Sequence, residues 1–266
     1  MKTKNTTIYQ FVNDIKKFFP IENAEKWDPI GFSKKPHWKT KINHVLFCLD
    51  ITEKVVEFAI KNDCNLIISH HPFIFDKLEK DLENFPYKNN IWNKLNNNKI
   101  YSFSLHTSVD NTNNFSAKSI SKKLGFLNNI DESYNKKFNT SSVLIKKEFT
   151  LLKLLKILNE NQLDIIQTNI QNFDSLDKYK SLILFSGSGP CKEIVQAKKY
   201  ADLFVTCDVK WSDWIAYDQE NINVIQISHF SEHFVVNELK EIIQSNLSKY
   251  SDVKMYVFNN EIKVLN

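Results

Sequence analysis

Glycine is scarce in this sequence, with 4 residues among 266, whereas phenylalanine occurs 20 times. Glycine provides left-handed turns and close backbone approaches, so each of the four is expected to meet a specific backbone need. The many Lys, Asn and Ile residues are typical of an AT-rich coding genome and do not indicate a special fold. The hydrophobic fraction of 42% is that of a globular protein, and the length allows one large domain or two modest lobes.

The sequence also lacks paired cysteines and long apolar runs. Cys48, Cys64, Cys191 and Cys207 form no CxxC pair, and three of them lie in or beside apolar stretches. This pattern predicts reduced thiols in a cytoplasmic protein. The amino terminus has no apolar signal core, and no stretch approaches the about 18 apolar residues of a membrane-spanning helix. We therefore expect neither export nor membrane insertion.

Clusters of positive charge are absent as well. The net charge is +4, and it is spread along the chain without a long basic run. Nucleic-acid-binding surfaces usually concentrate Lys and Arg on one face. We therefore interpret the charge as a solvated surface, and nucleic acid is not expected as a partner.

The first half of the chain has the pattern of a parallel sheet covered by helices. Apolar strands that enclose an amphipathic helix are typical of such sheets, because both of their faces are buried. Thr6 or Thr7 is expected to cap the first helix and Thr52 the second, while Pro20 ends the first and Gly125 closes the last. Strands are predicted at 44–50, 65–69 and 100–105, and helices at 6–19, 52–63, 86–98 and 117–126.

The second half repeats this alternation after a polar connection at 128–140. Strands are predicted at 142–148, 181–186, 202–206, 222–228 and 254–258, and helices at 151–161, 191–201, 211–220 and 232–245. We therefore predict an α/β fold of two similar lobes, with mostly parallel sheets flanked by helices. The lobes are assigned to residues 1–130 and 131–266, and an old duplication is one explanation of their likeness.

Histidines follow three of the predicted strands at their carboxyl ends. Because the carboxyl ends of parallel strands lie at one edge of a sheet, where ligands bind, these distant segments are expected to converge. Adjacent residues on a strand point apart, so two neighbouring histidines share a site only where the chain leaves strand geometry, as Pro72 allows. The residues concerned are His70 with His71, His106 with Asp110 four residues later, and His229 with Glu232 three residues later.

This set of side chains suits divalent metal. Imidazole and carboxylate together bind Zn, Mn, Fe, Ni or Co without thiolate. Such a mixed set is about what two neighbouring ions need. A single histidine after a strand is, however, more often a surface or capping residue, and His37, His44 and His233 are interpreted as structural or exposed.

Other motifs leave two interpretations open. Asp50 and Asp208 follow strands, and each is either a carboxylate that holds a ligand imidazole or a helix cap; spacing alone favours the cap. The segment 187–189, Gly-Ser-Gly, lies where a phosphate loop can form but lacks the rest of that motif. Trp211 and Trp214 have helical spacing, which favours packing over base stacking.

Several segments resemble the family of GTP cyclohydrolase 1 type 2 homologs, also called the Nif-three-like family. The resemblance spans nearly the whole chain in the family's order. It is carried by WDPIGF (27–32), VLFCLDITEKVVEFAI (45–60), LIISHHPFIF (66–75), LHTSVDN (105–111), FVTCDVKW (204–211) and SHFSEH (228–233).

The resemblance implies a two-metal site in a two-lobed α/β protomer that assembles into a toroidal homohexamer. His106 and Asp208 are then near neighbours of the ligands. Carried over by motif, the ligands are His70, His71, Asp110, His229 and Glu232.

Three positions depart from the family's pattern. The family's last carboxylate stands four residues after the last His, whereas here that position is His233 and the Glu is at 232. Either Glu232 or His233 therefore completes the set. Cys207 stands where Gly is usual, and Ser212 where His is frequent, which puts a role for that loop in doubt.

Three functional hypotheses follow. The first is a metal-dependent hydrolase of a nucleotide or another phosphorylated small molecule, in which an unligated His106 acts as general acid or base. The second is a non-catalytic protein that binds or delivers metal and works through partners. The third, a nucleic-acid binder, lacks the basic clusters it requires.

Overall fold

The computed structural model of the protein describes residues 6–135, 141–171 and 178–260. Contacts divide these residues into two compact units. The first comprises 6–112 and 236–260, and the second comprises the described residues between 113 and 235.

The described part of the chain contains ten strands and eleven α-helices. The strands are β1 (Gly31–Phe32), β2 (His44–Cys48), β3 (Cys64–Ser69), β4 (Tyr101–Ser104), β5 (Ser142–Thr150), β6 (Ile165–Thr168), β7 (Lys178–Phe185), β8 (Leu203–Thr206), β9 (Val224–Ile227) and β10 (Met255–Val257). The helices are α1 (Ile8–Phe18), α2 (Glu53–Lys61), α3 (Leu78–Asn84), α4 (Tyr87–Asn97), α5 (Thr107–Asn111), α6 (Phe115–Lys123), α7 (Glu132–Asn135), α8 (Leu151–Glu160), α9 (Cys191–Ala197), α10 (Trp211–Gln219) and α11 (His233–Asn246).

The first unit contains a five-stranded sheet with the order β1-β4-β3-β2-β10. Strands β4, β3, β2 and β10 are parallel, and β1 joins antiparallel at the edge. On one face, Leu46 and Ile67 belong to a buried cluster with Val55 of α2 and Ile91 of α4. The alternate residues of β2 and β3 are buried as well. The apolar runs of the sequence therefore reflect a sheet covered on both faces.

The second unit contains a sheet with the order β5-β7-β8-β9-β6. Its three central strands are parallel, and β5 and β6 pair antiparallel at the edges. Leu182 and Leu184 face a cluster that includes Leu154 of α8. Ile183 faces another, which includes Trp214 of α10. Two α/β units with mostly parallel sheets flanked by helices confirm the predicted fold class.

The helix signals of the sequence act as expected. Thr7 caps α1 through a capping box with Gln10, and the Thr52 hydroxyl accepts a hydrogen bond from the first turn of α2. Thr150, which was not predicted as a cap, does the same for α8. Gly125 has a φ of +76°, the left-handed backbone that ends α6.

Short elements depart from the prediction. The predicted helix 86–98 is preceded by a separate helix, α3, and β1 lies where only a turn was expected. The last predicted helix, 232–245, corresponds to α11, and an additional 3₁₀ turn, His229–Glu232, precedes it. Of the predicted connection 128–140, residues 136–140 lie outside the described residues.

The lobe boundary after residue 130 stays a prediction. Strand β10 lies far beyond that boundary in sequence, and it pairs in parallel with β2 of the first sheet.

Candidate metal centre

Four side chains lie at the carboxyl edge of the first sheet. Asp50 follows β2, His70 and His71 follow β3, and His106 follows β4. Hydrogen bonds continue the parallel ladder beyond the strands, since the His70 amide donates to the Cys48 carbonyl at 2.9 Å and the His106 amide donates to the His70 carbonyl at 2.9 Å. The three histidines are therefore fixed by the same sheet.

The three imidazoles form a compact triangle. Their ring centroids lie 5.0 Å apart for His70 and His71, and 5.4 Å from each of these to His106. Each ring offers one nitrogen within 4.8 Å of the other two, an arrangement that can hold a metal ion. The chain does leave strand geometry after Ser69, whose hydroxyl donates to the His71 carbonyl at 2.8 Å. This bend lets neighbouring histidines serve one site.

Asp110 adds a carboxylate to this group. It lies on α5, the short helix that begins directly after His106. Its Oδ1 is 3.6 Å from Nε2 of His70, whose residue is only 1% exposed. The structure thus brings together the three ligands predicted in the first unit, His70, His71 and Asp110.

A second carboxylate, Asp28, holds His106. Its side chain has no exposed surface, and its Oδ1 is 2.9 Å from Nδ1 of His106. The amide of Thr107 donates to Oδ2 at 3.0 Å, and the Thr107 hydroxyl donates to the same oxygen. Burial raises the pKa of Asp28, but the hydrogen bonds from His106 and Thr107 outweigh burial and hold it below its ordinary value.

The backbone of His106 is strained. Its φ of +33° lies in a region that L-residues other than Asn and Asp rarely adopt. Such conformations persist where surrounding contacts over-determine them, which is common at functional sites. Sequence reasoning gave Asp28 no role, although the motif WDPIGF was the available signal.

Asp50 holds His71 in a similar way. Its Oδ1 is 2.8 Å from Nδ1 of His71. The cap of α2 is Thr52. The interpretation of Asp50 as a helix cap is therefore wrong, and its carboxylate orients an imidazole.

The second unit carries a matching group at the carboxyl edge of its own sheet. His229 follows β9 and lies in the 3₁₀ turn that ends at Glu232. Its Nε2 is 2.9 Å from Oε2 of Glu232, and its Nδ1 contacts Asp208, which follows β8. Because a 3₁₀ turn has three residues, i and i+3 lie on one side, so the shortened spacing keeps Glu232 beside His229. Asp208 also orients an imidazole, since the residue that caps α10 is Lys210.

The electrostatics of this group are dominated by its carboxylates. Burial lowers the pKa of His229, but hydrogen bonds to Asp208 and Glu232 and their negative charges outweigh burial and raise it from 6.5 to about 11.

His233 has a different neighbourhood. Its Nδ1 is 2.7 Å from the carbonyl oxygen of Phe230, and its ring stacks on the Phe230 ring with centroids 4.6 Å apart. Glu232, which is only 3% exposed, is the residue that lies beside His229.

The contacts of the other motifs decide between the interpretations that the sequence left open. Gly187 lies against the Glu232 carboxylate, so the 187–189 segment faces a negative charge and does not suit a phosphate. Trp214 is buried in the core and Trp211 is 73% exposed, so only the first packs as expected. The hydroxyl of Ser212 donates to Asp213, which is not a ligand candidate.

The donor atoms of both groups fit a divalent ion. Imidazole nitrogen and carboxylate oxygen suit Zn, Mn, Fe, Ni and Co. The 2.9 Å between His229 Nε2 and Glu232 Oε2 is typical of neighbouring ligands of one ion, which lie about 3 Å apart when the metal bonds are about 2.1 Å long.

In the described residues, no helix combines the length and apolar character needed to cross a membrane.

Comparisons with known proteins identify relatives of this chain. The chain is 33% identical over 250 residues to the GTP cyclohydrolase 1 type 2 homolog of Mycoplasmopsis pulmonis (strain UAB CTIP), covering 93% of this chain and 97% of the relative. It is 29% identical over 262 residues to the protein of the same name from Ureaplasma parvum serovar 3, covering 94% and 93%.

The fold has solved counterparts. A Bacillus cereus protein related to NIF3 matches 99% of both chains with a TM-score of 0.83 and 17% identity. The family model Duf34/NIF3 (NGG1p interacting factor 3) matches residues 6–263. The chain therefore belongs to the DUF34/NIF3 family.

Proposed function

We propose that the protein binds two divalent metal ions and acts as a metal-dependent hydrolase of a nucleotide or another phosphorylated small molecule. The observation that carries this proposal is the ligand group of the first unit, in which the His70 and His71 rings lie together, Asp110 lies beside His70, and Asp50 holds His71 by Nδ1. The proposed ligands are His70, His71, Asp110, His229 and Glu232.

The proposed ligands form two residue groups, one in each unit. The distances within each group support metal binding in that group. Glu232 is chosen over His233 because its carboxylate, and not the His233 ring, lies beside His229.

The chemistry follows from the donor set. Bound divalent ions supply Lewis-acid activation of water and of a phosphoryl or ring carbon–nitrogen centre. His106 is the proposed general acid or base. Asp28 accepts a hydrogen bond from Nδ1 of His106 and thereby leaves Nε2 as the atom that takes or gives a proton.

The setting is proposed to be a cytoplasmic homohexamer. All four cysteines are free thiols, as expected in a reducing compartment. The toroidal hexamer is inferred from the family resemblance.

Metal retention in single variants tests the ligand assignment. His71→Ala and Glu232→Ala are each expected to lower the metal content measured by elemental analysis, because each removes a ligand. His233→Ala, and His37→Ala at an exposed position, are the matched controls and should keep the wild-type content. Unchanged metal content in both ligand variants would refute the assignment.

Turnover separates the hydrolase from a protein that only binds or delivers metal. The protein loaded with Mn, Zn, Fe, Ni or Co is assayed against a broad panel of nucleotides and phosphoesters. The proposal predicts hydrolysis that His106→Asn lowers more than it lowers metal content. Metal exchange without turnover of any compound would favour the non-catalytic alternative.

A further inference from the structure

We propose that Ser186 and Gly187 are positioning residues that hold the Glu232 carboxylate beside His229. Metal affinity therefore depends on the absence of a side chain at position 187. This inference rests on the proposed metal-binding function, and it concerns the second unit alone. The two residues, called the carboxylate seat below, directly follow β7.

Gly187 leaves the space that the Glu232 carboxylate fills. A Cβ at this position would lie 2.6 Å from Oε1 of Glu232, and 3.6 Å from Nε2 of His229. Cβ atoms essentially never approach other atoms so closely, so any side chain at 187 must displace the carboxylate. Its backbone φ of +68° also favours glycine.

The two oxygens of the Glu232 carboxylate have different partners, and Ser186 holds one of them. Its hydroxyl donates to Oε1 of Glu232 at 3.2 Å, while the other oxygen, Oε2, lies 2.9 Å from Nε2 of His229. One oxygen is thus held by the seat, and the other faces the imidazole with which it would share an ion. Glu232 is buried, so bulk water cannot replace the seat if it is lost.

The segment 206–208 anchors the seat from the next strand. The Cys207 amide donates to the Gly187 carbonyl at 3.0 Å, and the Thr206 hydroxyl accepts from the Gly189 amide at 2.7 Å. The next residue, Asp208, contacts Nδ1 of His229. One short segment therefore fixes both members of the ligand pair.

This arrangement explains why Cys can stand at position 207, where the resemblance leads one to expect Gly. The contribution of residue 207 to the seat is its backbone N–H. Its thiol points instead into the buried space beside the Ser231 hydroxyl, 3.8 Å away.

Zinc affinity of Gly187→Ala, measured by competition with a chelator, tests the inference. We expect a loss of about tenfold or more, as is typical when groups that orient a ligand are altered. Gly125→Ala is the matched control, because Gly125 has a similar φ of +76° but no atom within 4 Å of its Cβ position. Gly125→Ala should bind zinc like the wild type. Thermal unfolding of both variants checks that each is folded. Wild-type zinc affinity of Gly187→Ala would overturn the inference.

A double variant distinguishes positioning from a general disturbance of the fold. Glu232→Asp shortens the side chain and withdraws the carboxylate from position 187. Adding Gly187→Ala to Glu232→Asp should therefore cost much less affinity than adding it to the wild type. If Gly187→Ala lowers zinc affinity by the same factor in Glu232→Asp as in the wild type, positioning through Glu232 is contradicted.

Failure of the inference and failure of the metal proposal give different results. If Glu232→Ala loses zinc but Gly187→Ala keeps it, only the carboxylate seat is refuted. If Glu232→Ala itself keeps wild-type zinc affinity, Glu232 is not a ligand and the inference fails with that assignment.

Discussion

At the scale of single residues, three half-buried histidines are held in the same way. Asp28, Asp50 and Asp208 each contact Nδ1 of an imidazole, in His106, His71 and His229 respectively. A carboxylate at Nδ1 fixes the tautomer and the ring orientation, so that Nε2 is the atom available to a metal or a proton.

Asp14 is a buried carboxylate away from this site, and it gives stability that depends on pH. Its carboxylate accepts hydrogen bonds from Lys17, Lys249 and Tyr250. Burial raises its pKa, but these hydrogen bonds outweigh burial and hold the pKa well below its ordinary value. A group with a lowered pKa stabilises the fold above its unfolded pKa of about 4 and loses that contribution as the pH falls.

We therefore expect Asp14→Asn to lower the free energy of unfolding by about 1–3 kcal/mol at pH 7. The difference from the wild type should shrink below about pH 4, because the unfolded wild-type chain then takes up a proton at Asp14 that the folded chain binds only at lower pH. Urea unfolding at several pH values measures both effects. The exposed Asp252→Asn is the control, and a difference that stays constant down to pH 3 would contradict the account.

Sequence predicts the ligand candidates better than it predicts their supports. His70, His71 and His229 were recognisable because a histidine at the end of an apolar strand is informative about position. Asp50 and Asp208 looked like helix caps because a carboxylate after a strand fits both roles. Asp28 and Gly187 depend on contacts across 78 and 45 residues respectively, which local patterns do not encode.

At the scale of elements, the two units repeat one arrangement. Each has adjacent parallel strands, and in each an Asp after one strand contacts Nδ1 of a His after the next strand, 21 residues later. The pairs are Asp50 with His71 across β2 and β3, and Asp208 with His229 across β8 and β9. This repetition supports the duplication suggested by the alternation of strands and helices.

The cap of α1 provides a test of element stability. The Thr7 hydroxyl accepts from the Gln10 amide at 3.3 Å, and the Gln10 side chain accepts from the Thr7 amide at 2.9 Å. Thr7→Ala should lower the free energy of unfolding by about 1 kcal/mol, because it leaves an amide of the first turn without its acceptor. Thr7→Ser keeps the hydroxyl and should behave like the wild type in chemical denaturation. Equal stability of the Ala and Ser variants would show that the capping box contributes nothing.

Long elements were predictable from periodicity and caps, whereas short ones were not. The two residues of β1 and the four of β6 are too few to show alternation, and both pair antiparallel at sheet edges. Helix α5 has only five residues, and no side chain caps its amino terminus. It begins after the strained backbone of His106, which the sequence does not reveal.

At the scale of the whole molecule, the family resemblance predicts a homohexamer. Six chains of 31.3 kDa give a mass of about 188 kDa. Light scattering coupled to size-exclusion chromatography should find this mass at micromolar concentration. A mass of 31 kDa that persists as concentration rises would contradict the proposed assembly while leaving the ligand residues of each chain unaffected.

The central claim is that the histidines and carboxylates at the two sheet edges hold divalent metal. Its most direct test is elemental analysis of the wild-type protein, purified without chelator and then offered Zn, Mn, Fe, Ni and Co in turn. The account predicts about two ions of a divalent metal per chain, as a two-metal site requires. A protein that carries no such ion when purified and takes up none when each is offered would contradict the claim.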